Sequence, residues 1–299
     1  MKIVFHFDGS EALKAALARL GVELCPESDA AAFARLLPET EVLWHVLKPL
    51  TAEHIEQAKK LRLIQKIGSG VNTIDIEAAK RRGIAVCNLP GTNSRAVAEM
   101  ALLLMLACLR RLPELHGSVR TGAWSDAWKL QDRFGELGGR TVGLVGYGAV
   151  AQTLATMLHA MRAKVLYWSR TIKNAELHAL VGTSDIVSLH LPLTPETQGI
   201  LDPRRMKAGA ILVNTARGGL VREDFLAEAL KSGHLAAAGL DVFAVEPPPP
   251  DHPLLSLPNV VCAPHLAWLT RETLVRSLDA ALDNVRRLNA GEPLRHRVA

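Results

Sequence analysis

No stretch of these 299 residues stays apolar long enough to cross a bilayer. The best run, ALLLMLACL at 101–109, is under half of the ~20 residues that a spanning helix requires. Nor does a charged segment followed by an apolar one open the chain; MKIVFHFDG reads as a short strand running into a turn, not as a secretory leader. Cysteine is scarce. Cys25, Cys87, Cys108 and Cys262 stand far apart with no CxxC pair, each among Leu, Val or Ala. Neither a disulfide framework nor a metal centre is indicated, and each is expected to act as a small core residue. Aromatic residues make up only 4%, with six Phe and two Tyr to stack on bases, and the 35 Lys and Arg are scattered. That argues against nucleic acid, and the net charge of +5 is better explained by a small anionic substrate. Low-complexity tracts and blocks of like charge are missing, so no disordered tail is expected. What remains is a soluble, cytoplasmic globular chain.

Of the residues present, 48% are hydrophobic and 22% charged, an ordinary globular balance, and at ~100–200 residues per domain the length favours two domains. Strand patterns alternate with helical ones throughout, which predicts α/β architecture with parallel sheets covered by helices. Strands are expected at Lys2–Phe7, Glu41–Leu47, Leu63–Ile67 and Ile84–Cys87. Helices are expected at Ser10–Leu20, Ala52–Leu61 and Ile76–Arg82, the last closed by Gly83, which carries a first unit to about residue 92. A long apolar helix then begins at an Asn93 or Ser94 cap and continues through Val97, Leu102, Met105 and Leu109 until Pro113. It reads equally well as an internal core helix or as the brace of a two-fold dimer.

The segment RTVGLVGYGAVAQTLATML at 140–158 supplies a buried strand, a glycine turn and a helix opening at the glycines. In that context Gly146 permits the tight turn, Gly148 lets the backbone approach a pyrophosphate, and Ala151 is an accepted substitute at the helix-packing position. Ala149 and Val150 then lie at the helix N-terminus, whose unpaired N–H groups and dipole suit phosphates. The next strand, Ala163–Trp168, ends where an NAD-selective site would carry Asp or Glu; this chain has Ser169-Arg170-Thr171, with Lys173 near. A hydroxyl followed by an arginine attracts a 2′-phosphate, so NADP is the expected cofactor, with NAD still possible.

From residue 185 the sequence continues as SDIVSLHLPLTPETQGILD, AGAILVNTARGGLVRE, AAAGLDVFAVEPPP and NVVCAPHLAW. Together these closely resemble the D-isomer-specific 2-hydroxyacid dehydrogenase family, and the likeness extends upstream through IGSGVNTIDIEAA and NLPGTNSRAVAEMALLLML. The resemblance implies two Rossmann-like domains with parallel sheets. A dinucleotide-binding domain of residues 93–273 would be inserted in a discontinuous substrate-binding domain of residues 1–92 and 274–299. It also implies hydride transfer between NAD(P)H and a small 2-oxo or 2-hydroxy acid, in a homodimer.

Carried over position by position, the family's catalytic arginine falls on Arg217, its carboxylate on Glu246 and its histidine on His265. Chemistry asks for the same residue types. A guanidinium grips a carboxylate bidentately and polarises the adjoining carbonyl, while histidine titrates near neutral pH and can hand over a proton, helped by a neighbouring carboxylate. By the same resemblance Ser69, Gly70 and Val71, in the loop that starts at Gly68, present N–H groups to the substrate carboxylate, with Asn72 and Asp75 shaping that loop. Thr215, Ala216 and Asp241 line the nicotinamide side together with His265, and Pro192 packs by the cofactor.

Two features depart from the family pattern. Only fourteen residues separate Arg170 from Asp185, too few for the usual strand–helix element, so the adenine side is expected to be open. Trp268, three residues after the histidine, resembles the hydroxypyruvate and glyoxylate reductase branch and is expected to crowd out long side chains. Two alternatives stay open: a phosphoglycerate or phosphite dehydrogenase of the same fold, and a dinucleotide-sensing regulator without turnover.

Overall fold

A computed structural model describes residues 1–299, apart from the side chains of residues 126 and 127. The chain divides into two compact units, Met1–Asn93 with Arg271–Ala299, and Ser94–Thr270. Among the described residues no helix is long and apolar enough to cross a membrane.

In the first unit β1 (Ile3–His6), β2 (Val22–Cys25), β3 (Val42–His45), β4 (Leu63–Lys66) and β5 (Ala85–Cys87) form a parallel sheet in the order β2-β1-β3-β4-β5. Helices α1 (Glu11–Arg19), α2 (Ala30–Leu36), α3 (Ala52–Gln57) and α4 (Ile76–Arg81) connect these strands, and the terminal helix α10 (Arg271–Ala290) returns to this unit. Capping side chains fix where several helices begin: Ser10, Asp29, Thr51 and Asp75 each accept an N–H from the first turn. Central strands β1, β3 and β4 are buried on both faces, as parallel strands sandwiched by helices must be. Strand β2 and helix α2 were not expected from the sequence.

The second unit opens on α5 (Ser94–Leu109) and α6 (Leu112–Arg120). Pro113 does not end the first of these. Helix α5 stops at Leu109, Arg111 takes a left-handed φ of 49°, and Pro113 sits in the first turn of α6, where its missing N–H costs nothing. Next come β6 (Thr141–Val145), α7 (Ala149–Ala160), β7 (Lys164–Trp168), α8 (Leu177–Thr183), β8 (Ile186–Leu189), β9 (Ala210–Asn214), α9 (Glu223–Lys231), β10 (Leu235–Leu240) and β11 (Val260–Cys262). The strands form a six-stranded parallel sheet in the order β11-β10-β9-β8-β6-β7. Chain direction across the sheet reverses between β6 and β8, and the carboxyl ends at such a reversal are where open α/β sheets take ligands.

Period-two alternation distributes the β6 side chains. Val142 and Leu144 join α5 and α7 in one core, whereas Val145 faces the opposite core with Leu180 of α8. Helix α5 contributes Ala98, Ala101, Leu104, Met105 and Cys108 to the first of these cores, while Leu103 on another side of the helix is exposed. Of the cysteines, Cys25, Cys87 and Cys108 are buried, but Cys262 is exposed because β11 is the edge of its sheet.

Candidate active site

The glycine turn lies at the reversal point. Gly146 has φ +98°, and a Cβ there would sit 2.5 Å from the His190 carbonyl oxygen, so only glycine fits between the ends of β6 and β8. Gly148 is the N-cap of α7, with no side chain capping the first turn and open space where its Cβ would point. Ala149 and Val150 follow in that turn, and its bare N–H groups suit a pyrophosphate. Two polar atoms after neighbouring strand ends are buried without a partner: His190 Nε2 and Thr215 Oγ1. Burial lowers the His190 pKa to about 4, so a neutral ring faces its surroundings at neutral pH. Orphaned polar atoms beside a glycine cradle fit a nicotinamide dinucleotide, whose amide and hydroxyl groups could satisfy them. His190 carried no role in the sequence reading; a histidine ending a buried strand looks like a core residue.

Beyond Trp168 the chain turns straight back. Ser169 N–H donates to the Ile172 carbonyl (2.9 Å), the Ser169 hydroxyl bonds both the Ile172 carbonyl (2.7 Å) and its N–H (3.0 Å), and Trp168 pairs with Lys173 in an antiparallel bridge. That hydroxyl therefore closes a turn, a task the sequence reading did not foresee. Arg170 is exposed at the tip of the turn, whereas Lys173 pairs with Glu176 at 2.8 Å. Strand β7 is left as the sheet edge, consistent with the short interval between Arg170 and Asp185.

Farther along the same sheet, the loops after β9, β10 and β11 carry Arg217, Glu246 and His265. Asn214, ending β9, grips the following loop twice: its amide oxygen accepts from Ala216 N–H (3.0 Å) and its Nδ2 donates to the Arg217 carbonyl (2.8 Å). Arg217 is half-buried. Burial pulls its pKa below the ordinary arginine value, with Glu246 opposing. His265 Nδ1 and Glu246 Oε2 are 2.6 Å apart. An ionised carboxylate only accepts, so Nδ1–H donates, and Nε2 is left as the ring's other exchanging position. Burial alone would raise the Glu246 carboxyl, but the His265 contact, the Phe243 N–H (2.9 Å) and Arg217 together hold it below its ordinary value.

Asp241 holds this arrangement from beneath. Its carboxylate accepts Leu266 N–H (2.9 Å) and Ala267 N–H (3.0 Å), and its carbonyl accepts the His265 N–H (2.8 Å). Both side-chain oxygens thus anchor the histidine turn, a task that the sequence around Asp241 does not reveal. Burial pushes its carboxyl up, against those two N–H bonds and His265. Pro192 is exposed, and its carbonyl accepts from Thr197 (2.7 Å). Ala216 is half-buried and Trp268 is buried. Ser69, Gly70 and Val71 belong to the first unit, in a loop pinned by Asn88 Nδ2 on the Ser69 carbonyl (2.8 Å) and by Leu89 N–H on the Gly68 carbonyl (2.8 Å). Asp75 caps α4 just beyond that loop.

Residues 102–267 match the family described as D-isomer specific 2-hydroxyacid dehydrogenase, NAD binding domain. The chain belongs to that family. Members are nicotinamide-dependent oxidoreductases acting on CH–OH groups. Its relatives include a glyoxylate reductase of Korarchaeum cryptofilum, 40% identical over 82% of this chain and 78% of the relative. A hydroxypyruvate reductase of Thermotoga maritima is 39% identical over 80% and 81%. A D-3-phosphoglycerate dehydrogenase of Archaeoglobus fulgidus is 40% identical over 83% of this chain, which spans only 49% of that longer protein. Among solved structures, the TT0316 protein from Thermus thermophilus superimposes with a TM-score of 0.89 at 37% identity, covering all of both chains. The NAD-dependent formate dehydrogenase from Staphylococcus aureus in complex with NAD does so at 0.89 and 30%, covering 100% of this chain and 99% of that one.

Proposed function

We propose that this dehydrogenase reduces a small 2-oxo acid, glyoxylate or hydroxypyruvate, to the 2-hydroxy acid, with NADPH preferred over NADH. The observation that carries the reading is the 2.6 Å contact between His265 and Glu246 in loops at the same sheet edge as Arg217 and the Gly146–Ala151 turn. When bound, the nicotinamide supplies a hydride to the carbonyl carbon. Arg217 grips the substrate carboxylate and draws charge from the carbonyl oxygen. His265, protonated and steadied by Glu246 at Nδ1, gives its Nε2 proton to that oxygen and becomes neutral. Glu246 stays ionised throughout, consistent with its lowered pKa. By the same reading the first unit, with its Ser69–Val71 loop, has the substrate-binding role and the second binds the dinucleotide.

The NADPH preference is supported by Arg170 at the tip after β7, where the nearest following carboxylate, Glu176, is engaged by Lys173. Trp268 and the reductase relatives support a two- or three-carbon acid. The test is a panel of 2-oxo acids with each cofactor: kcat/KM is highest for small acids with NADPH, and Arg170→Ala narrows the preference by about 1.5–3 kcal/mol. An NADH preference in the wild type would remove the cofactor assignment, and no turnover with any 2-oxo acid would favour the regulator.

A cytoplasmic homodimer braced by α5 is part of the same reading. Exposed apolar side chains that support it are Leu103 of α5, Leu112 and Val119 of α6, and Trp124 and Trp128, exposed to 66% and 68%. Light scattering at micromolar concentration reads the state, and a monomer there would refute it.

A further inference from the structure

A second histidine–carboxylate pair stands behind the first. Glu223, the first residue of α9, accepts Ala244 N–H with Oε1 (2.8 Å) and meets His252 Nε2 with Oε2 (3.2 Å). His252 Nδ1 accepts the Leu254 N–H (3.4 Å), which leaves the proton on Nε2, donating to Glu223. Both side chains are mostly buried, 18% and 15% exposed, and Phe243 meets the His252 ring edge-on at 5.7 Å.

Their position on the backbone gives the pair its meaning. The amides of residues 243 and 244 are consecutive: Phe243 N–H holds Glu246, and Ala244 N–H is held by Glu223. The peptide joining Phe243 to Ala244, which carries the Ala244 N–H, packs against Gly218, the residue after Arg217. A Cβ on Gly218 would fall 2.0 Å from Phe243 C and 2.2 Å from Ala244 N. One seam therefore joins the loop carrying Arg217 to the loop carrying Glu246, closed by a missing side chain at Gly218 and a carboxylate at Glu223.

We infer that Glu223, itself oriented by His252, is a positioning residue that sets the Glu246 carboxylate against His265 and fixes its separation from Arg217. The inference rests on the proton-transfer reading above. Glu223 touches no reacting atom; it acts through the 243–244 peptide. The charged groups facing Glu246 are His265 from the loop after β11, Arg217 from the loop after β9 and Asp241 at the end of β10. Glu223 and His252 form their own pair and are not among the charges acting on Glu246, so losing Glu223 changes geometry at Glu246 before it changes charge.

The experiment measures pH profiles of kcat/KM for glyoxylate reduction with NADPH in the full chain. Glu223→Ala is expected to lower kcat roughly 10- to 100-fold, the scale of a small misplacement at a reacting centre. KM for NADPH stays unchanged, because Gly146–Ala151 and Arg170 lie away from the seam. The alkaline limb moves to lower pH, as in Glu246→Gln, and the double variant moves it no further than Glu246→Gln alone. Glu223→Gln, which keeps an oxygen for Ala244 N–H, recovers part of the rate. Should Glu223→Ala fail to fold, His252→Asn takes its place: it keeps a cap for Leu254 but is too short to reach Glu223, and it is read the same way. A folded variant with a lower melting temperature and an unmoved limb would overturn the inference, leaving the pair a fold contact. If Glu246→Gln itself leaves the limb in place, the proton-transfer reading falls, and this inference with it.

Discussion

At His265 the backbone and the ring are fixed by different neighbours. Its φ of +56° is in the left-handed region, which costs a non-glycine residue about 1–3 kcal/mol, and the Asp241 carboxylate and carbonyl hold the turn there through three N–H bonds. Glu246 then holds the ring. The His265 contact helps to hold the Glu246 carboxyl below its ordinary pKa. Reduction consumes a proton, so its rate falls as pH rises, and because a carboxylate beside a proton donor favours the charged form, Glu246→Gln is expected to move that loss to lower pH. By contrast, His265→Ala lowers the rate by about 10²–10⁴-fold at every pH. An unmoved limb in Glu246→Gln, measured by steady-state kinetics, would break the pairing. His265, Glu246 and Arg217 were legible in the sequence because their motifs and residue types answer a chemical demand. Glu223 and His190 were not. A glutamate opening a helix reads as a partner of the helix dipole, and only the fold reveals that its carboxylate reaches a peptide twenty-one residues away.

Among the elements, β10 and α5 are packed to contact. A Cβ on Gly239 would lie 2.8 Å from the Leu104 Cβ, an atom with no rotamer freedom to move aside. Gly239→Ala should therefore destabilise the second unit by about 1–3 kcal/mol, read from thermal melts, and an unchanged melting temperature would mean the two elements can separate. The strongly patterned central strands were legible because burial on both faces writes continuous apolar runs. Strand β2 was not, since edge position leaves only Val22 and Cys25 buried with Glu23 exposed between them. Helix α2 buries Phe33 alone, too little for a periodic signal. Pro113 misled for a different reason: proline stops one helix and starts another equally well, and the left-handed Arg111 decided which.

For the molecule as a whole, three imidazoles held neutral by burial contribute to the loss of stability in acid. Burial brings His6 and His190 down to about 4 and His45 to about 3, from an ordinary value of 6.5. The unfolded chain takes up these protons below pH 6.5 while the folded chain refuses them until about pH 4, or 3 for His45. Stability contributed by their neutral forms is thus present above 6.5 and lost as pH falls through that window. Melting temperatures should drop across it, and His6→Phe, set against Phe33 in place of a ring stacked at 3.9 Å, should flatten the slope by up to one proton's worth, about 1.4 kcal/mol per pH unit. A slope equal to wild type would show that His6 is not held neutral. The most direct test of the whole account follows the hydride. With NADPH deuterated at the transferring C4 position and hydroxypyruvate as substrate, deuterium should appear at C2 of a D-2-hydroxy acid, and His265→Ala should suppress it while still binding NADPH. A folded, NADPH-binding protein that places no deuterium on any small 2-oxo acid would contradict the account.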